Sequence, residues 1–366
     1  MNIVVSGATN MYDFLANDVI REDMETIYAA SLPWEQLRSQ SVLITGSYGM
    51  LASYLGYFLC WLNEKQGFNV QIYAQGRSEE KMRSRYGLYM DRPYFHPCYF
   101  SVTEPVKLDQ DMDYIIHAAS GTYPTSYSTN PVEIAEPNAL GTYYLLKYAL
   151  AHNCKGFEYF STGDIYGKVI KTADISEDDS GSLNPLDLHS CYGESKRMGE
   201  TWCSLFSKEY AVPTRIVRIG HTYGPTMDIE NDPRVFASFI KNVVSGEDIH
   251  LHSDGTAKRP FCYIADACVA FLLILLKGKN GEAYNMANTG QFLSMNELAE
   301  ILVGLVPEDG LNVVHDQNVA NTGYLENKAN KQNSLSSQKL MKLGWEPKIG
   351  VREGFGRVLS VKNEPR

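Results

Sequence analysis

Two short motifs contain residues whose types and spacing suit proton transfer. STGDIYG, residues 161–167, precedes YGESK, in which Tyr192 and Lys196 are four residues apart. On a helix this spacing places both side chains on one face, one turn apart. A free tyrosine hydroxyl has a pKa of about 10 and is a poor base at neutral pH, but a nearby ammonium group would lower that pKa. We therefore interpret Tyr192 as the base that takes a proton from a substrate hydroxyl, with Thr162 orienting the same hydroxyl.

A glycine-containing turn supplies the second piece of chemistry. TGSYGMLAS places Gly46, Gly49 and Ala52 in a GxxGxxA pattern between an expected strand and an expected helix. The first glycine permits a tight turn, the second lets the backbone approach a pyrophosphate, and the small third residue lets helix and strand pack closely. The pattern predicts a dinucleotide site with the pyrophosphate on helix N–H groups. The residues expected to contact the cofactor are Gly46, Ser47, Tyr48, Gly49, Met50, Leu51, Gln75, Arg77, Ala118, Ala119, Tyr192 and Lys196.

The end of the second strand bears on which dinucleotide binds. NAD sites usually have Asp or Glu there, which takes the adenosine ribose hydroxyls. In this sequence the strand ends in IYAQGRSEE, with Gln75 in the place of the acid and Arg77 two residues further on. Arg77 would favour a 2′-phosphate and hence NADP. We expect NAD as the cofactor and keep NADP as the alternative.

The elements that must position these residues alternate between strands and helices. This alternation predicts βαβ units and an α/β fold with a Rossmann-type, doubly wound parallel sheet. From about residue 226 the pattern changes to helices and short strands, which indicates a smaller C-terminal α/β substrate domain interleaved with the first. We therefore expect a helical N-terminal extension (1–40), a dinucleotide-binding domain (41–225) and a mainly substrate-binding domain (226–366).

Composition narrows the class of protein. The chain has 366 residues and a net charge of −10, a balance that argues against a nucleic-acid partner. No apolar run reaches membrane-spanning length, and the N-terminus lacks the basic start of a signal peptide. The seven cysteines are scattered and form no CxxC pair, so no metal site is expected and reduced thiols in the cytoplasm are the simplest account.

Across residues 40 to about 350 the sequence resembles extended short-chain dehydrogenases/reductases of the nucleotide-sugar epimerase, dehydratase and decarboxylase group. The motifs that carry the resemblance are TGSYGMLAS, HAAS, NALGTYYLL, STGDIYG, YGESK, RIGHTYGP, RVFASFI, GTAKRPFCYIAD and LGWEP. The segments 226–266 and HAASGTYPTSYSTNP are most similar to UDP-glucuronate decarboxylases. The resemblance implies that Thr162, Tyr192 and Lys196 form a catalytic trio and that Lys196 also binds the nicotinamide ribose. It further implies a homodimer formed through a helix bundle that includes the YxxxK helix.

Among the residues expected to bind the substrate, some match the pattern of the family and others differ from it. Dehydratases of this group carry Asp-Glu after the Ser-Thr and decarboxylases usually carry Ser-Glu, whereas this chain has Gly163 and Asp164. Asp164 keeps one carboxylate for acid–base work. Where related enzymes often have Asn, this chain has His221, a group that could contact the sugar. The residues expected to bind a nucleotide-sugar substrate are Ser120, His221, Arg234 and Arg259, and the resemblance brings the two arginines near the diphosphate.

These observations favour oxidation of a sugar hydroxyl, at C4, by bound NAD(P)+. A 4-keto sugar can then lose carbon dioxide, rotate to an epimer or lose water, and we rank decarboxylase first, epimerase second and dehydratase third. A catalytically silent nucleotide-binding regulator is the alternative from another class. The trio argues against that alternative, because a binding module has no need of it.

Overall fold

The computed structural model of the protein describes residues 13–121, 127, 129–171, 173–315 and 334–363. Three features of the sequence lie outside the described residues. They are the first twelve residues, most of the stretch after HAAS that carries part of the resemblance, and all but the last residue of the polar segment NVANTGYLENKANKQNS (318–334), whose composition predicts a surface loop.

The described residues form twelve strands. In chain order these are β1 (Ser41–Thr45), β2 (Gln71–Gly76), β3 (Phe95–Tyr99), β4 (Tyr114–His117), β5 (Gly156–Thr162), β6 (Thr214–Ile219), β7 (His221–Tyr223), β8 (Ile249–Leu251), β9 (Lys258–Tyr263), β10 (Glu282–Met286), β11 (Phe292–Ser294) and β12 (Val313–His315). Seven of them form one sheet in the order β10-β6-β5-β4-β1-β2-β3. Every neighbouring pair in this sheet is parallel. Their carboxyl ends therefore meet at one edge, where ligands bind in open α/β sheets.

Eleven α-helices connect or flank the strands in the described chain. They are α1 (Asp18–Tyr28), α2 (Met50–Gln66), α3 (Glu79–Tyr86), α4 (Pro131–Glu136), α5 (Thr142–Ala151), α6 (Ser190–Tyr210), α7 (Val235–Val244), α8 (Ile264–Lys277), α9 (Met295–Val303), α10 (Gln338–Met341) and α11 (Val351–Asn363). A single π turn, Pro137–Gly141, joins α4 to α5. None of these helices is long and apolar enough to cross a membrane.

Helices cover both faces of the parallel sheet. On one face the sheet residues Val42 and Phe160 pack in a core with α2 and α8. On the other face Leu43 and Tyr159 pack with α5 and α6. A strand covered on both faces reads as a nearly continuous apolar run, which is the pattern of YIIH in β4. The Rossmann-type, doubly wound α/β fold predicted from the sequence is confirmed.

The chain after residue 226 contributes to more than one layer. Strand β10 lies at the edge of the seven-stranded sheet beside β6, and α8 covers that sheet. Two smaller sheets, β11-β9-β7 and β12-β8, lie apart from it. The division into domains at 40 and 225 stays a prediction, because strands of the later segment belong to the first sheet as well as to the smaller ones.

Candidate active site

The glycine turn between β1 and α2 packs directly on the backbone that follows β4. Gly46 has a φ of +64°, and a Cβ atom there would lie 2.8 Å from the Cα of Ala119. Only glycine fits this position without strain. Gly49 is the N-cap of α2 and brings no side chain over the helix end. The first N–H groups of α2 are thus available to an anion, so the turn fits a dinucleotide pyrophosphate.

A buried histidine that the sequence reasoning did not single out holds this region together. His117, the last residue of β4, lies with Nε2 3.1 Å from the carbonyl oxygen of Pro137 and Nδ1 2.8 Å from Oγ1 of Thr45. A carbonyl only accepts, so Nε2 carries the proton and Nδ1 accepts from Thr45. The same Thr45 oxygen accepts the N–H groups of Ala118 and Ala119 at 3.2 and 3.1 Å. Burial, aided by the charge of Lys196, lowers the pKa of His117 to about 3, which keeps the ring neutral.

Two residues expected to contact the cofactor turn their side chains inward instead. Gln75 is buried; its Oε1 accepts the N–H of Gly46 at 3.0 Å and its Nε2 donates to the carbonyl of Phe100 at 2.5 Å. The Ser47 hydroxyl donates to the carbonyl of Ile44 at 2.6 Å. Both side chains thus support the glycine turn, and their contact with the cofactor stays a prediction.

Arg77 and Tyr48 lie at the exit of β2. The backbone N–H of Arg77, whose side chain is exposed, donates to the Tyr48 hydroxyl at 3.4 Å. The Tyr48 ring covers Gly76, where a Cβ atom would come within 2.5 Å of it. An acid is therefore replaced at this strand end by an aromatic hydroxyl and an arginine.

Helix α6 presents Tyr192 and Lys196 on its buried face beside the end of β5. The ammonium of Lys196 donates to the carbonyl of Phe160 at 2.6 Å and lies 5.8 Å from the centroid of the Tyr192 ring. Burial lowers the pKa of Lys196 to about 7, an effect that the nearby Glu200 opposes. The Tyr192 ring stacks on Tyr127 with centroids 5.4 Å apart. The spacing of YGESK thus brings tyrosine and lysine together as expected.

The pKa of Tyr192 differs from the sequence expectation. Burial raises it above the usual value, and the charge of Asp164 raises it further. A hydrogen bond with the Thr162 side chain and the charge of Arg234 act in the opposite direction. Lys196 is itself desolvated and donates to a backbone carbonyl, so the expectation that it lowers the pKa of Tyr192 stays a prediction.

Asp164 lies two residues after Thr162, the threonine that is expected to orient the substrate hydroxyl. Its backbone N–H donates to Oγ1 of Thr162 at 3.2 Å, so a short 3₁₀ turn begins where β5 ends. The carboxylate reaches solvent at the edge of the sheet, while surrounding protein atoms desolvate it and raise its pKa. The positive charge of Arg259 opposes that increase. A carboxyl group with a raised pKa beside a tyrosine base is suited to deliver a proton.

One side of this edge carries two positive charges, those of Arg234 and Arg259. The neutral side chain of His221 lies near both. Burial and the charges of both arginines lower the pKa of His221 to about 3, which makes it a neutral hydrogen-bonding group. Arg234 is fixed by a bidentate pair with Asp232, with contacts of 2.5 to 3.0 Å. Arg259 lies on β9 next to Lys258, whose carbonyl it contacts at 2.8 Å. This grouping is suited to phosphate or carboxylate.

Ser120 is the one expected substrate residue for which the structure gives no link to this cluster among the described residues. Its hydroxyl donates to the carbonyl of Gly121 at 3.3 Å. Its role in substrate binding stays a prediction.

A doubly wound parallel sheet, a glycine turn at its first crossover and a Tyr–Lys pair on the helix beside β5 define a dinucleotide-dependent enzyme of the short-chain dehydrogenase type. The chain belongs to the NAD-dependent epimerase/dehydratase family, whose family model matches residues 42–287. Among characterised relatives, UDP-glucuronic acid decarboxylase 6 of Arabidopsis thaliana is 32% identical over 314 residues, which is 86% of each chain.

Solved structures share the fold at lower identity. UDP-glucose 4-epimerase of Thermotoga maritima, determined with UDP-glucose, superposes with a TM-score of 0.71 at 23% identity and covers 88% of this chain and 98% of its own. UDP-glucuronic acid 4-epimerase of Bacillus cereus, in complex with NAD, gives a TM-score of 0.68 at 20% identity, with 88% and 98% covered. At these identities the likeness supports the fold.

Proposed function

We propose that the protein is an NAD-dependent nucleotide-sugar enzyme that acts through a 4-keto sugar, and that its reaction is decarboxylation of UDP-glucuronate. The observation that carries the proposal is the meeting of Thr162, Asp164 and Tyr192 with the cationic pair Arg234 and Arg259 at the carboxyl edge of the sheet. The family, the decarboxylase relatives and the structures determined with NAD support it. Bound NAD+ supplies a hydride acceptor in the first half of the reaction and a hydride donor in the second.

The chain's own residues handle the protons and the orientation. Tyr192 takes the proton of the C4 hydroxyl. Thr162, whose side chain hydrogen-bonds with Tyr192, lies beside the same hydroxyl and orients it. With C4 oxidised, a carboxylate on C5 becomes a β-keto acid. The C5–carboxylate bond then breaks, carbon dioxide leaves, and the electron pair enters the C4 ketone. Asp164, whose pKa is raised by desolvation, delivers a proton to C5, and Tyr192 returns its proton to O4.

The residues after Thr162 favour decarboxylation over dehydration. Removal of water across C5–C6 needs an acid for the hydroxyl and a base for the C5 proton, two roles that require opposite protonation states. Gly163 provides no side chain, and a Cβ atom there would lie 3.1 Å from Cδ1 of Leu335. Asp164 alone is left, and decarboxylation needs a single proton donor. C4 epimerisation is the second candidate, favoured by the fact that it needs no further acid.

The product of UDP-glucuronate tests this proposal. We expect a product lighter by carbon dioxide, seen by mass spectrometry, and little 4-keto-6-deoxy sugar from any UDP- or TDP-hexose. Asp164→Asn should stall the reaction after hydride transfer, so that reduced cofactor accumulates and absorbs in the near ultraviolet. Asp187→Asn, the same change at an exposed carboxylate before α6, is the matched control and should turn over normally. Unchanged mass with inverted C4 would make the protein an epimerase, and absence of turnover with every nucleotide sugar despite NAD binding would favour the silent regulator.

We also propose a homodimer formed through α5 and α6. These helices and the π turn before them expose large apolar side chains, namely Leu140, Leu150, Leu205 and Tyr210.

A cytoplasmic location is proposed as well, and seven cysteines without a disulfide support it.

A further inference from the structure

The N-terminal segment, which precedes the part of the chain matched by the family model, buries a carboxylate. Helix α1 packs the apolar side chains of Ile20, Met24 and Ile27 into the core, and Asp23 lies fully buried among them. A helix that served only to cover the core would have an apolar residue there, because burying a carboxylate is costly unless it is fully hydrogen-bonded. Asp23 is therefore a specific feature of this segment.

Three partners from three elements converge on Asp23. Its Oδ2 accepts hydrogen bonds from the hydroxyls of Tyr54 and, at 2.6 Å, of Tyr263. Its Oδ1 accepts from Arg357 at 2.9 Å. Tyr54 lies on α2, Tyr263 on β9 and Arg357 on α11. Burial raises the pKa of Asp23 to about 6, and all three partners act in the opposite direction.

Two of these partners lie on elements that also carry residues of the candidate site. Tyr54 is four residues, one helical turn, beyond Met50, with which the helix begins after the glycine turn. Tyr263 is four residues beyond Arg259 on β9, and β9 pairs with β7, which begins at His221. One carboxylate thus joins the helix of the cofactor side to the strand of the substrate side.

We propose that Asp23 is a positioning residue, and that the N-terminal segment acts through it as a clamp that fixes β9 against α2. The clamp fixes the distance between the glycine turn, on the cofactor side, and Arg259 and His221, on the substrate side. A cofactor and a substrate that react with each other require this distance to be fixed. Helix α2 also packs on the main sheet, whereas β9 belongs to the small sheet β11-β9-β7, so we expect loss of the clamp to affect β9 more than α2. The ligand side of this inference rests on the proposed function, whereas the clamp itself is a property of the protein alone.

Asp23→Asn tests the clamp. It keeps the size of the side chain and removes the negative charge of the carboxylate, which accepts hydrogen bonds from Arg357 and the two tyrosine hydroxyls. We expect amide hydrogen exchange of residues 258–263 to rise about tenfold or more, and the affinity for UDP, measured by calorimetry, to fall by a similar factor. The affinity for NAD+ should stay within about twofold. Tyr263→Phe, which removes a single hydroxyl, should act in the same direction and serves where Asp23→Asn does not fold.

Met24→Ala is the matched control, since Met24 is buried on the same helix and no described hydrogen bond joins it to the clamp. It should lower the melting temperature and leave both the exchange of residues 258–263 and the UDP affinity as in the wild type. The clamp is refuted if Asp23→Asn and Tyr263→Phe change exchange in 258–263 no more than Met24→Ala does. A wild-type protein that binds no UDP, with the exchange changes as expected, would refute the nucleotide-sugar proposal and support the clamp.

Discussion

Opposite shifts in pKa characterise the tyrosine and the lysine of the site. Burial favours the neutral form of each, raising the pKa of Tyr192 and lowering that of Lys196 to about 7. Tyr192 therefore depends on what favours its phenolate: the hydrogen bond with Thr162 and the charge of Arg234. The base is assembled from several elements rather than from the YxxxK pair alone.

Loss of the Tyr192 hydroxyl should remove catalysis and keep the fold. In Tyr192→Phe the ring can still stack on Tyr127, but no group takes the proton of the substrate hydroxyl. We expect turnover to fall on the order of a hundredfold or more, with NAD+ affinity and melting temperature close to the wild type. Steady-state assays with the nucleotide sugar that the wild type converts would measure it. Tyr99→Phe, at an exposed position on β3, is the control, and near-normal turnover of Tyr192→Phe would contradict the assignment.

At this scale the sequence predicts which residues meet more readily than what their side chains do. The four-residue spacing of YGESK suffices to place Tyr192 beside Lys196, because helical periodicity is local. The inward turn of Gln75 depends on Phe100 and Gly46, and the tautomer of His117 depends on Pro137, none of which is near in sequence. The one signal for His117 was its place at the end of a strand, in HAAS.

The element that forms the cofactor turn uses its two glycines for different purposes. Gly46 has a positive φ and touches the backbone after β4, so it is needed for the fold. Gly49 has an ordinary φ of −67°, and a Cβ atom there would lie 3.1 Å from the carbonyl oxygen of Gly46. It is needed to keep the N-terminus of α2 open.

A branched side chain at position 49 should therefore separate binding from folding. We expect Gly49→Val to retain its secondary structure and to lose at least tenfold in NAD+ affinity, because the valine covers the helix N–H groups that hold the pyrophosphate. Isothermal calorimetry together with circular dichroism would show both effects. Gly67→Ala changes a glycine at the other end of α2, with open space around it, and should cost stability without weakening NAD+. Unchanged affinity in a folded Gly49→Val would argue against a cofactor site at this turn.

The whole molecule shows what local patterns leave undetermined. One of the short strands expected after residue 226 is formed as β10, but its neighbour is β6 of the main sheet rather than a strand of the C-terminal segment. Strand pairing across more than sixty residues of sequence is a tertiary choice, and nothing within the strand specifies it. The clamp on Asp23 joins residues still further apart, so a helix in the N-terminal segment was predictable and its function was not.

Glu158, in the centre of the parallel sheet, makes the stability of the whole molecule depend on pH. It lies in β5, opposite Ile116 on one side and Arg215 on the other, and it is fully buried. Neither carboxylate oxygen has a hydrogen-bond partner among the described residues, and the Arg215 guanidinium donates to the carbonyls of Gly278 and Pro213. Burial raises the pKa of Glu158 well above the usual 4.5, an effect that the charge of Arg215 opposes. The folded protein therefore binds a proton at Glu158 more tightly than the unfolded chain does.

The sign of this linkage gives a prediction. Because the pKa is higher in the folded state, the contribution of Glu158 to stability is complete below about pH 4.5 and is lost as the pH rises. Glu158→Gln has no proton to take up, so its stability relative to the wild type should increase as the pH rises toward 7. Its advantage should shrink as the pH falls and vanish near pH 4.5.

Urea unfolding at pH 5, 6, 7 and 8 would measure this, with Glu80→Gln, at an exposed position, following the wild-type curve. Equal pH dependence of Glu158→Gln and the wild type would show that Glu158 is not the group that takes up the proton.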